Sequence, residues 1–88
     1  MITIRFSKGD STAVASLKVR PGGSVECVVW SGDESLWSEI ERTRPALGDY
    51  PLQEDWMVLT TAAASRVGIA WRIDPSHEPA HEFDQVLP

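Results

Sequence analysis

His77-Glu78-Pro79-Ala80-His81 carries the letters of the zinc-hydrolase signature HExxH. That chemistry needs a helix to hold two histidines one turn apart on a single face, with the glutamate over the metal-bound water. Pro79 falls inside the required turn and Pro75 just before it. A proline in a helix interior removes a backbone hydrogen bond and costs about 3 kcal/mol. No third ligand stands at a plausible spacing, so the expectation is a solvated tail with no metal. Cys27 is the one cysteine. The alternation of its segment sets it with Val25 and Val29 on an apolar face, where a thiol is buried and inert. The serines and threonines stand in no Gly-x-Ser-x-Gly elbow, and no glycine loop suited to cradling phosphate accompanies them. The expectation is therefore no catalytic residue, no cofactor and no enzyme.

Two groups remain that suit binding. Trp30 shares the second face of its strand with Glu26 and Val28, and the neighbouring strands offer Arg5, Lys18 and Arg72 to the same side. A tryptophan among cations on an open sheet can stack a nucleobase or anchor a protein contact. The second group is acidic. Residues 1–30 hold four basic and two acidic groups, whereas residues 31–88 hold four basic and eleven acidic ones. Asp33, Glu34 and Glu41 fall on a predicted helix, and Asp49, Glu54 and Asp55 on the loop after it. Together they suit a docking surface for a basic partner.

The elements that must position these residues follow from periodicity. Ile2, Ile4 and Phe6 alternate with Thr3 and Arg5, the period of a half-buried strand. Lys8-Gly9-Asp10-Ser11 turns the chain into a second strand, Thr12 to Arg20, with Ala13, Ala15, Leu17 and Val19 inward. Pro21-Gly22-Gly23 turns it again, and Ser24 to Trp30 completes a three-stranded antiparallel meander. A helix is predicted next, capped by Ser31 or Asp33 and buried through Leu36, Trp37 and Ile40. Pro45 ends it near Thr43. Asp55 to Thr61 reads as a strand because Val58, Thr60 and Thr61 are β-branched. The competing reading is a helix opening at Pro51, with Glu54 and Asp55 in its first turn. Val67 to Asp74 alternates as a final strand, with Trp71 inward like Trp37 and Trp56.

The expected architecture is one α+β domain over residues 1–74: an antiparallel sheet of four or five strands with one helix on one face. Residues 75–88 form a proline-rich acidic tail that lies against the body, if at all, through Phe83, Val86 and Leu87. A chain of 88 residues buries about 60–65% of its unfolded surface, enough for a modest core but not for a deep cleft. The alternating start is no signal peptide, no segment is long and apolar enough to span a bilayer, and a single cysteine suits a reducing cytoplasm. The net charge of −5 disfavours direct nucleic-acid and membrane contact. The function these features predict is a non-catalytic acidic protein-binding module. Its partner would be the basic surface of a nucleic-acid-handling machine, blocked as small phage-encoded, anti-CRISPR-like inhibitors do. The alternatives are a single-stranded nucleic-acid binder using the Trp30 face, and an accessory subunit of a larger enzyme. Oligomeric state is left open.

Overall fold

The computed structural model describes residues 2–75, and the His77/His81 pair and the acidic tail lie outside them. Strands β1 (Ile2–Lys8), β2 (Ser11–Val19) and β3 (Val25–Gly32) form the expected meander. Helices α1 (Glu34–Thr43) and α2 (Gln53–Arg66) follow, and β4 (Ala70–Pro75) closes the chain of elements. All pairings are antiparallel, and the four strands lie in the order β3-β2-β1-β4. The class is α+β.

The alternation of β1 and β2 does what it predicts. Ile4 and Phe6 face Ala15 and Ala13 across the ladder, and with Leu17 and Ile40 they are buried to within 1% of complete exclusion. The core is thus one sheet face covered by α1 and α2. Among the described residues, the other face carries no helix.

Helix α1 begins where Asp33, not Ser31, supplies the cap: its Oδ1 accepts from the Ser35 backbone N–H at 2.9 Å and from the Ser35 hydroxyl at 2.7 Å. These bonds hold the Asp33 carboxyl below the usual carboxylate range, as a hydrogen-bonded anion at a helix N-terminus should be. The helix gives way at Thr43, before Pro45, as expected.

Residues 53–66 are helix α2, not the strand read over Asp55 to Thr61, so two helices cover the sheet. Three causes combine. The acids Glu54 and Asp55 lie in the first turn, where they favour a helix start, while Pro51 stands just outside it, before the N-cap Leu52. Ala62-Ala63-Ala64 extends the segment with the best helix former. Trp56, Thr60 and Ala63 form a buried stripe at helical spacing. The β-branched residues lose only a few tenths of a kcal/mol each against this. Thr61 also turns its hydroxyl back to the Met57 carbonyl at 2.8 Å, so its polar group is satisfied within the helix. The last strand is correspondingly shorter than Val67 to Asp74. Val67 caps α2, and Ile69, though buried, bonds back to the Ala64 carbonyl before pairing begins.

The decisive departure lies in β3. Val19 pairs with Val25 and Lys18 with Cys27, so Glu26 is an extra residue opposite a single step of β2. Such a β-bulge shifts the phase of every residue beyond it. Val28 and Trp30, opposite Leu17 and Ala15, therefore join the core face. Cys27 and Val29 turn outward, and both are exposed. The expected placements of Trp30 and Cys27 are exchanged.

Candidate functional site

Trp30 now belongs to an aromatic cluster beneath α1. Its ring stacks on Trp37 with centroids 5.8 Å apart and lies 5.6 Å from Phe6 and 6.2 Å from Trp56. Its indole N–H donates to Glu41 Oε2 at 3.0 Å. The grouping of Trp30 with Arg5, Lys18 and Arg72 therefore does not form. Those three cations do share the open sheet face. Arg5 and Arg72 are direct cross-strand partners. Lys18 stands four residues along β2 from Val14, the other partner of Arg5, a distance of about 13 Å at strand rise. Arg5 and Arg72 both reach Asp74: Arg5 Nε pairs with Oδ2, and Arg72 Nε lies 3.3 Å from Oδ1. The hydrogen bond from Arg5, supported by the charge of Arg72, holds the Asp74 carboxyl below its ordinary value.

Trp71 is not a core residue either. It lies on the helix-covered face but at the sheet's edge, 42% exposed, with its indole N–H on Ser65 Oγ at 3.0 Å.

The acidic residues divide among three places. Glu41 and Asp49 come together on the rim of a cleft between β3 and the loop joining α1 to α2, with a volume of about 280 Å³. Glu26 from the bulge joins them there. Sequence reasoning missed Glu26, because a bulge leaves no mark in an alternating run and Glu26 was read as part of a regular face. The cleft's cation, Arg44, is drawn inward. Its guanidinium lies 5.4 Å from the Trp56 ring centre and donates to Thr60 Oγ1 at 3.0 Å. Burial lowers the Arg44 pKa below its ordinary value, and the charge of neighbouring Glu41 offsets only part of that. Glu34 is exposed at the far end of α1, seven residues and about 10 Å of helix axis from Glu41. Asp33 is committed to its cap. Glu54 lines a separate hollow with Gly22, Gly23 and Leu52, and Asp55 is exposed beside it in sequence.

Among the described residues, no three of His, Cys, Asp or Glu come close enough to hold a metal ion. No helix there is long and apolar enough to cross a membrane. No family model, curated protein or solved structure matches this chain.

Proposed function

We propose that this is a non-catalytic protein-binding module that docks a basic partner on its acidic cleft. The observation that carries the reading is the convergence of Glu26, Glu41 and Asp49 from three separate elements onto one rim, with Arg44 turned into the helix packing. Carboxylates so arranged present a concentrated negative field at the sheet's edge, the arrangement that steers a cationic partner and rejects an anionic one. The finer reading is an inhibitor or regulator of a nucleic-acid-handling machine, since such machines expose basic surfaces that an acidic rim complements. The inward turn of Trp30 removes the stacking platform that a nucleobase would need on the open face.

Affinity capture from the source organism, run with wild type and the Glu26→Lys/Asp49→Lys variant in parallel, tests this. Both positions are exposed, so the variant keeps its fold. The partner retained by wild type is basic, and its titration against the variant shows at least about a tenfold loss of affinity. Wild-type binding also weakens as salt shortens the Debye length below about 10 Å. Equal affinity of the two proteins for that partner refutes the reading.

A further inference from the structure

Three strands build a second hollow, on the open face of the sheet. Val14, Arg5 and Arg72 form one cross-strand row, and Thr12, Ser7 and Ala70 form the next. Residues in register across a sheet point to the same side, so all six share the face. Short side chains in one row beside long ones in the other leave a concavity of about 400 Å³ lined by these residues and by Phe6, Ala13 and Trp71, which lie between them along the strands. That volume is in the range of small-molecule sites.

Asp74 stands one row beyond the arginines, opposite Thr3, and gives one oxygen to the Nε of each arginine. A guanidinium carries five N–H donors in a fixed plane. Engagement through Nε restrains each arm and leaves its Nη donors for a ligand. Asp74 therefore acts as a positioning residue that holds two planar forks side by side, and the three groups together keep one net positive charge.

The geometry points to a binding site for a small phosphorylated ligand in this hollow, with the phosphate on the forks of Arg5 and Arg72 at the end nearer Asp74 and the rest of the ligand over Ser7, Thr12 and Ala70. Two guanidinium forks match the oxygens of a phosphate bidentately, and the hydroxyls of Ser7 and Thr12, on the side of the arginine row away from Asp74, offer polar partners to the body of the ligand. A small ligand fits better than a nucleic-acid strand, because Phe6 is buried and Trp71 turns its indole to Ser65 on the helix-covered side, leaving no described ring to stack bases over the hollow, and the whole chain carries a net charge of −5. The site lies on the face opposite the helices, so it stands or falls independently of the acidic cleft.

Titrating the full chain with inorganic phosphate and with adenosine monophosphate, followed by backbone and arginine Nε–H resonances, tests the inference. Saturable shifts are expected at Arg5 and Arg72 with either ligand, and at Ser7, Thr12 and Ala70 with the monophosphate, which binds at least as tightly as phosphate. Arg72 is 72% exposed in its side chain, so Arg72→Ala keeps the fold, checked by its melting curve. That variant is expected to lose about tenfold or more in affinity. Arg72→Lys keeps the charge but loses the fork, and is expected to lose several-fold. Lys18→Ala, a cation on the same face but outside the hollow, is expected to change affinity less than twofold. No saturable shift, an unaffected Arg72→Ala variant, or an equal loss with Lys18→Ala each overturns the site. Tighter binding of a thymidine decanucleotide than of the monophosphate overturns the small ligand.

Discussion

Trp30 joins three aromatic rings and one carboxylate, and a side chain so placed governs stability out of proportion to its size. Trp30→Ala is expected to cost about 3 kcal/mol, the low end of the range for a truncated aromatic, because Trp30 is partly buried against the core. Trp71 has a single hydrogen bond and 42% of its surface in solvent, so Trp71→Ala is expected to cost roughly 1–2 kcal/mol. Urea titration of both variants checks the order, and equal losses would mean that the aromatic cluster does not carry the core. Alternation alone forecasts the reverse order, and the reason is instructive. In β1 and β2 the period of two assigns each residue its side correctly, because nothing interrupts the ladder. In β3 the same rule holds for Val25 and fails from Cys27 onward, because Glu26 is inserted without any change in composition. Arg5, Lys18 and Arg72 were legible as one face, since their strands are regular over those positions. The acidic rim was only half legible: Glu41 and Asp49 stand out as charges, but the residue that completes the rim is the bulge itself.

At the scale of elements, the junction from β3 to α1 is the tightest point in the fold. Gly32 has φ +90, and a Cβ built there would meet the Thr12 carbonyl oxygen at 2.6 Å and the Ala13 Cα at 2.8 Å. Both obstacles are backbone atoms of the neighbouring strand, and the Asp33 N–H that follows is already bonded to that same carbonyl at 2.8 Å. Gly32→Ala is therefore expected to cost at least about 2 kcal/mol, through a strained φ and an overlap that cannot relax. Gly48 offers the comparison, with φ +83 and nothing within 4 Å. Gly48→Ala meets only the backbone strain, about 1 kcal/mol. Thermal melting of the two variants separates clash from strain, and equal midpoints would show that β3 can move away from β2. Helix α1 was legible from its cap, its apolar stripe and Pro45. Helix α2 was legible only as the competing reading, because β-propensity reports how a side chain packs on a pleated surface and not a backbone preference. Packing of Trp56, Thr60 and Ala63 against the sheet decided the matter instead.

For the molecule as a whole, the described residues give the sheet two outer strands, and each is defended differently. Strand β4 bears Arg72 and Asp74 and ends at Pro75, residues that discourage another strand from pairing. Strand β3 has its first residue covered, since the Val25 N–H bonds the Pro51 carbonyl at 2.7 Å. Beyond that its edge is interrupted by the bulge and by the charge of Glu26. Because Glu26 is the supernumerary residue, excising it would leave Val25, Cys27 and Val28 in unbroken alternation and every later side chain on its present side. A deletion inside a strand ordinarily turns the remaining residues over; this one restores the pattern. The Glu26 deletion is expected to fold, with Trp30 still enclosed, and to lose both a carboxylate of the rim and the irregularity that guards the edge. Circular dichroism should show an unchanged fold while light scattering shows mass rising with concentration, and an unfolded deletion variant would contradict the assignment of Glu26 as the inserted residue. The bulge thus lets a single in-frame loss of three nucleotides divide two properties that point mutations usually damage together. Under the proposed function, a variant lacking it is expected to melt like wild type and yet bind the basic partner more weakly.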